Sequence, residues 1–343
     1  MIEEIINRDS IDEIAAVIDS RTNFVILSHK NPDGDALGSS LALYLYLRAR
    51  GKKATVVLPN RFPGFLSWLP AAGSVLLYEK EQERVAEALA VAEAFFCLDF
   101  NTLSRIGELG ERVKQYDATK VLIDHHLQPS DEFRILVSHP EACSTSELVY
   151  RMIVAVSGDE VLSNEMAQCI YTGMMTDTGS FAYASARKDI YLIIAALLST
   201  GIDKDLIYRK VFYNSTFSRM KLFGYVMYKK LKHYNKYNAA LITLSYEELQ
   251  RFYAQKGDTE GLVNQPLQIK GVRFSCFFRE EQPGKINVSL RSVDDFPCNS
   301  VAEEFFNGGG HKNASGGELQ CSMDEATVIF AAVLQKYKEM LVR

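Results

Sequence analysis

The 343-residue sequence has no long hydrophobic run. Its longest apolar stretch, Tyr191 to Leu198, is far short of the ~18 residues that suggest a membrane span, so no membrane segment is expected. The opening decapeptide MIEEIINRDS lacks the basic, apolar and small-residue regions of a secretory leader, which predicts a cytoplasmic protein. Cysteine pairs at metal-binding or redox spacing are also missing. The six cysteines (Cys97, Cys143, Cys169, Cys276, Cys298, Cys321) are scattered through a chain too large to be a disulfide scaffold, and read as reduced thiols, mostly in the core. There is no excess of positive charge. At a net charge of -5, a broad basic face for long nucleic acid is not expected, whereas a short anionic substrate held by metal ions is compatible with the composition. Internal repeats and low-complexity tracts are absent as well.

What is present suits a folded two-domain chain, with 47% apolar and 24% charged residues. Phe24 to Leu27 is a compact β-rich run, and Leu37, Leu41, Tyr44, Leu45 and Leu47 follow at helical spacing until Gly51. Strands are predicted over 54–58, 94–98 and 120–123, with a helix over 81–92 between the first two. Strands alternating with helices imply a parallel sheet covered on both faces, an α/β fold. Helices are expected over 147–156, 164–175 and 189–198. The proline-free stretch 203–232 reads as helices connecting two bodies. Beyond it, strands over 239–244, 272–279 and 286–291, a helix over 246–255 and a C-terminal helix over 324–341 predict a smaller α+β domain. The expected limits are 1–215, a helical linker 216–236, and 237–343.

Polar residues with chemistry collect where these strands end. His29, Asp33 and Asp35 lie in the loop after the first strand and before its helix, the edge where open α/β sheets place ligands. Taken alone, Pro32 and Gly34 could simply set a turn that Asp35 caps. Asp99 ends the strand 94–98, and Asp124-His125-His126 ends the strand 120–123. Three strands thus deliver acids and imidazoles to one edge, a coincidence that structural needs do not demand. Asp177, in Thr176-Asp177-Thr178-Gly179, follows a helix and gains weight from this company. Asp33, Asp35, Asp99 and Asp177 together carry four negative charges, which two divalent cations would neutralise and which would otherwise repel one another. Imidazole and carboxylate donors without thiolate fit Mn²⁺, with Mg²⁺, Co²⁺ or Fe²⁺ as alternatives. In the second domain, consecutive glycines Gly308, Gly309 and Gly310 precede His311 and an expected helix start, so their backbone could approach an anion, while Arg291 could grip phosphate.

The ordered set H-x-x-x-D-x-D, a strand-end Asp, D-H-H, T-D-T-G and a distal G-G-G-H-x-x-A-S-G resembles the DHH phosphoesterase family, in its NrnA-like branch with a DHH-associated C-terminal domain. The resemblance runs from about residue 10 to about residue 340. It implies one metal on His29, Asp33 and Asp99 and a second on Asp35, Asp99, His125 and Asp177, with Asp99 bridging. It also implies that His126 faces the scissile phosphate and that Asp124 orients the histidine pair. Arg291, Gly308, Gly309, Gly310, His311 and Ser315 would bind substrate phosphate across an interdomain cleft. The implied activity is cleavage of short oligoribonucleotides to 5′-mononucleotides, dephosphorylation of 3′-phosphoadenosine 5′-phosphate (pAp) to AMP, or both, and the resemblance admits a homodimer. Two departures bear on substrate preference: Phe100-Asn101-Thr102 follows Asp99 where relatives often carry a small polar residue, and Phe181-Ala182-Tyr183 follows T-D-T-G where an arginine is common. The alternatives are a pyrophosphatase or polyphosphatase, a linear or cyclic dinucleotide phosphodiesterase, and a non-enzymatic RNA- or nucleotide-binding module.

Overall fold

The computed structural model describes every residue except Met1, Lys256 and Arg343. Its contacts divide the chain into two units, Met1–Asn214 and Ser215–Arg343. In the first, the order is α1 (Arg8–Ser20), β1 (Asn23–Ser28), α2 (Gly34–Ala49), β2 (Lys53–Leu58), β3 (Leu76–Leu77), α3 (Gln82–Val91), β4 (Ala94–Leu98), α4 (Glu108–Lys114), β5 (Thr119–Asp124), β6 (Ile135–Ser138), α5 (Thr145–Ser157), α6 (Asn164–Asp177), α7 (Lys188–Ser199) and α8 (Lys204–Phe212).

All six strands are parallel, in the order β3-β2-β1-β4-β5-β6. Alternate side chains of each strand therefore feed two separate cores. Phe24, Ile26, Phe96, Leu98, Val121 and Ile123 pack with α1, α2, α5 and α6, whereas Val25, Leu27, Phe95, Cys97 and Leu122 pack with α3 and α4 residues such as Val85, Leu89, Leu109 and Val113. Burial on both faces is why these strands read as unbroken apolar runs. Each such side chain, taken fully from water, contributes roughly 1.5–3 kcal/mol. The chain leaves β1 toward β2 and β3, then returns to the other side of β1 as β4. That reversal opens a crevice at the carboxyl ends of β1 and β4, where doubly wound sheets hold their ligands.

Helix α2 is buried without a break from Gly34 to Leu43, nearly three turns, because α6 lies directly against it. Glycine makes this approach possible. A Cβ on Gly38 would stand 2.5 Å from the Cys169 carbonyl oxygen, and one on Gly34 would stand 2.2 Å from Thr176 Oγ1.

The second unit contains α9 (Phe217–Tyr225), β7 (Leu231–Tyr234), β8 (Ala239–Leu244), α10 (Tyr246–Arg251), β9 (Phe274–Gln282), β10 (Lys285–Ser292), α11 (Cys298–Phe305), β11 (Gly309–His311), β12 (Ala314–Gln320), α12 (Met323–Lys336) and α13 (Lys338–Leu341). Its mixed sheet runs β11-β12-β10-β9-β8-β7, with β8 and β9 parallel and every other pair antiparallel. One face carries Leu241, Phe274, Phe278, Val288 and Leu290 against Phe306, Phe330 and Val333, in a second core. On the other face Ile242, Leu244 and Phe277 pack against Leu222 and Val226. The stretch read as a purely helical linker, 216–236, runs as α9, one π-helical turn over Val226–Lys230, and then strand β7, which pairs with β8. Strands β3, β6 and β7 are too short, and β11 and β12 too rich in glycine, to give the longer apolar run that identifies a strand in sequence.

Among the described residues, no helix is long and apolar enough to cross a membrane.

Candidate metal centre

Four neighbouring segments bring the expected acids and imidazoles of the first unit together at the carboxyl edge of the sheet. His29 directly follows β1, and its Nδ1 lies 2.9 Å from the Lys30 carbonyl oxygen. A proton on Nδ1 satisfies that carbonyl and leaves Nε2 facing Asp99 Oδ2, 3.4 Å away, where it donates when the ring is protonated and could ligate a cation when it is not. Asp33 caps α2, its Oδ1 accepting the Asp35 and Ala36 N–H groups, both at 3.0 Å, and the same oxygen stands 4.0 Å from His29 Nε2.

Asp35 is buried in the first turn of α2, and the N-terminus of α5 holds it. The Thr145 N–H donates to Oδ2 at 2.6 Å and the Ser146 N–H to Oδ1 at 2.9 Å. Two helix-start amides thus fix the carboxylate and favour its charge.

Asp99 occupies the centre. It leaves β4 in the left-handed region, φ 66°, while its N–H still donates to Ile123 of β5 at 3.2 Å. That conformation is uncommon outside glycine but tolerated by aspartate, and such strain gathers at functional sites. Its Oδ1 lies 3.6 Å from His125 Nε2 and accepts the Thr145 hydroxyl at 3.0 Å, while Oδ2 faces His29. Asp177, the last residue of α6, places Oδ2 3.5 Å from His125 Nε2.

The two histidines of Asp124-His125-His126 are steadied by different partners. His125 Nδ1 faces the Ala142 carbonyl at 3.3 Å, whereas His126 Nδ1 lies 2.7 Å from Asp124 Oδ1. Asp124 is fully buried at the end of β5, and its Oδ2 has no hydrogen-bond partner. Orientation by Asp124 was expected for both rings; its direct hydrogen bond goes to His126.

Among the described residues, three groups of side chains have donor atoms within 4.8 Å of one another: His29 with Asp33 and Asp99; Asp35 with His125 and Asp177; and Asp99 with His125 and His126. All donors are nitrogen or carboxylate oxygen, a set suited to divalent cations of intermediate or hard character. The charge balance points the same way. Burial, with Asp99 and Asp177 nearby, raises the Asp35 carboxyl well above the usual range. Burial, with Asp33 and Asp99 nearby, pushes Asp177 up to about 7. Burial opposes charge on His29 and His125, but the surrounding carboxylates outweigh it and push each to about 9. Burial would raise Asp99 too, but the three imidazoles prevail and hold it below the usual carboxylate range. The cluster thus retains protons to offset its own negative charge, and metal cations would replace them in that role.

Thr145, Ser146, Gly38 and Gly173 are the site-building residues that sequence reasoning missed. The segment Ser144-Thr145-Ser146-Glu147 does carry the S-x-x-E signature of a helix start, and Ser144 caps α5 by accepting the Glu147 N–H at 3.1 Å. Glu147 is itself fully buried, bonded to the Cys143 N–H at 2.8 Å, to Arg151 Nε at 2.8 Å and to Arg187 Nη2 at 2.6 Å.

The expected residues of the second unit fall into two sets. Arg291 and His311 both pair across strands with Ala314, so their side chains leave the same face of the sheet, two strands or about 10 Å apart. Burial lowers the Arg291 pKa. Ser315 pairs with Leu290 and so points to the opposite face, where its hydroxyl donates to the His311 carbonyl at 2.6 Å. The glycine stretch does not precede a helix as expected: Gly309–His311 is the edge strand of a hairpin with β12. Gly308 serves a close backbone crossing there, for a Cβ would stand 1.9 Å from the Gly316 carbonyl oxygen.

Comparison with known proteins assigns the two units. Residues 23–174 match the DHH family, N-terminal domain, and residues 238–339 match the DHHA1 domain. The chain is 30% identical over 320 residues to the bifunctional oligoribonuclease and PAP phosphatase NrnA of Thermus thermophilus, covering 93% of this chain and 90% of that one. It is 29% identical over 305 residues to the probable bifunctional oligoribonuclease and PAP phosphatase NrnA of Streptococcus mutans, covering 88% and 91%. The crystal structure of an exopolyphosphatase-related protein from Bacteroides fragilis is 50% identical, with a TM-score of 0.97 over 99% of this chain and 100% of that one.

Proposed function

Because this chain belongs to the DHH family of phosphoesterases, we propose that it hydrolyses short oligoribonucleotides to 5′-mononucleotides and removes the 3′-phosphate of pAp. The observation that carries this reading is the central position of Asp99. It shares one donor group with His29 and Asp33 and another with the D-H-H histidines, as a carboxylate common to two cations would. His29, Asp33 and Asp99 would hold one divalent cation, and Asp35, Asp99, His125 and Asp177 the other; manganese suits the donor set. When bound, such a pair lowers the pKa of the attacking water and offsets the charge that builds on the phosphoryl oxygens.

The chain's own residues do the rest. The α5 amides hold Asp35 in place and would favour its ionised form once cations offset the charge around it. Asp124 fixes His126 through Nδ1, so a contact to the scissile phosphate would be made by Nε2, as donor when the ring is protonated. In the DHHA1 unit, Arg291 and His311 would grip a further phosphate from their shared face, and Ser315 would hold the His311 backbone. A short, doubly charged nucleotide fits these groups better than a long strand, for which a net charge of -5 offers little attraction.

A second reading is hydrolysis of pyrophosphate or polyphosphate, favoured by the description of the 50% identical Bacteroides fragilis protein as exopolyphosphatase-related. One assay separates them. Purified protein with Mn²⁺ is incubated in parallel with a diribonucleotide, pAp, a cyclic dinucleotide, pyrophosphate and polyphosphate, and the products are identified. Mononucleotides from the first and AMP from the second are expected; release from the inorganic substrates alone would overturn the nucleotide reading. Asp99→Ala and His125→Ala, each removing a proposed ligand, are expected to lower turnover by more than about 100-fold with the circular dichroism spectrum unchanged.

A further inference from the structure

Away from the Asp/His cluster, the first unit has a shallow, open depression of about 660 Å³ formed by the loop after β2 and the C-terminal end of α8. Trp68 and Phe65, on the loop, press one side against the hydrophobic core. Lys210 of α8 lies over the Trp68 ring, with Nζ 4.4 Å from its centroid. Arg209 and Tyr213 complete the wall. Tyr213 is 74% exposed, yet Tyr208 holds its ring edge-on at 5.6 Å. No carboxylate lines the pocket; the acid of α8, Asp205, is bonded to Lys204 at 2.6 Å and also feels the charge of Arg209.

An open aromatic ring beside two cations matches a nucleotide. Any nucleobase can stack on the ring, and the adjoining phosphate pairs with the guanidinium and ammonium groups. The pocket's loop is also linked to the cluster at its start. The loop leaves the carboxyl end of β2, and Asn60 ties it to the one carrying His29 and Asp33: Asn60 Oδ1 accepts the Asn31 N–H at 2.7 Å, and Asn60 Nδ2 donates to Asn31 Oδ1 at 2.9 Å.

We propose that this pocket is a nucleotide subsite, which stacks a base on Tyr213 and pairs the neighbouring phosphate with Arg209 and Lys210. The inference rests on the short-nucleotide reading above. The subsite would hold the nucleotide of a substrate that is not being cleaved, and so would set how many residues of an oligonucleotide are gripped.

Trp68 is the sole tryptophan of the chain, so its fluorescence reports on the pocket directly. The protein with Mn²⁺ is titrated with AMP, adenosine and ribose 5-phosphate. A saturable change is expected with AMP, with weaker responses to adenosine and ribose 5-phosphate, each of which has half of the recognised groups. Tyr213→Ala should weaken AMP binding about tenfold, Tyr213→Phe should restore it, and Arg209→Ala should weaken it likewise. Asp99→Ala, which disables the metal cluster, should leave the AMP response in place. A response that disappears with Asp99→Ala but survives Tyr213→Ala would assign binding to the cluster and overturn the subsite. Absence of any response, in protein that still hydrolyses a dinucleotide, would overturn it while leaving the proposed function standing. A response in protein that hydrolyses no nucleotide would support the subsite and defeat the catalytic reading.

Discussion

Gly173 of α6 stands against Asp35 of α2 with room for hydrogen alone: a Cβ there would lie 2.8 Å from Asp35 Oδ1 and 1.9 Å from Ser146 Oγ. The carboxylate most deeply placed in the cluster is therefore positioned by the absence of a side chain on a neighbouring helix. Gly173→Ala would push against Asp35 and against the side chain of Ser146, whose amide holds that carboxylate. Overpacking of this kind costs about 1–3 kcal/mol, and the displaced carboxylate should lower Mn²⁺ affinity or turnover by about 10- to 100-fold. Calorimetric Mn²⁺ titration beside a thermal melt checks both. Wild-type affinity in the alanine variant would show that Asp35 does not depend on this contact.

Glu147 links the site to the rest of the first unit. Burial works against its charge, but the Cys143 N–H, Arg151 and Arg187 prevail and hold its carboxyl below the ordinary value of 4.5. A carboxyl lowered in the folded state contributes stability that is fully present above its unfolded pKa and is lost as pH falls through the folded value. Wild-type stability should therefore drop more steeply than that of Glu147→Gln as pH falls below about 4.5, while the variant is the less stable of the two at pH 7. Glu147→Ala, which leaves both arginines without their partner, should cost about 3–5 kcal/mol. Urea unfolding at a series of pH values measures the difference, and parallel curves for wild type and the glutamine variant would contradict the assignment.

Arg291 shares a sheet face with His311 in the second unit, whereas the residues of the metal cluster all belong to the first. If it grips phosphate before and during the reaction alike, its loss removes uniform binding. Arg291→Ala should raise KM for a dinucleotide about tenfold or more and leave kcat within a few-fold. Steady-state kinetics decide it, since a fall in kcat at constant KM would place Arg291 in the chemical step.

Much of this site was legible because a strand end is a local event. Phe24 to Leu27, Ala94 to Leu98 and Lys120 to Ile123 are apolar runs that stop at a polar residue, and β1, β4 and β5 bring those stops to one edge. What sequence could not supply is contact between distant helices. Gly38 and Gly173 look like ordinary helix interruptions until α2 and α6 are seen to touch. Thr145 and Ser146 read as the start of a helix, and only the fold aims that start at Asp35. The glycines at 308–310 misled for a related reason: loops, bulges and edge strands use glycine alike, and it was the pairing with β12 that made this one a strand.

The separate supports of the D-H-H histidines allow their roles to be told apart. Asp124 bonds to His126 Nδ1 at 2.7 Å, whereas His125 Nδ1 faces the Ala142 carbonyl, which no side-chain substitution at position 124 removes. Asp124→Asn keeps the shape of the side chain but takes away its charge. The buried amide can present either its oxygen or its NH₂ group to His126, and the second choice would require Nδ1 to be the acceptor, shifting the ring proton to Nε2. If His126 acts on the scissile phosphate and His125 holds metal, this variant should bind Mn²⁺ within about threefold of wild type and lose about 10- to 100-fold in kcat, with KM little changed. If His126 is instead a ligand through the donor group it forms with Asp99 and His125, metal affinity should fall together with activity. Mn²⁺ calorimetry on Asp124→Asn distinguishes the two, because only the second arrangement makes the carboxylate at 124 a support for the metal.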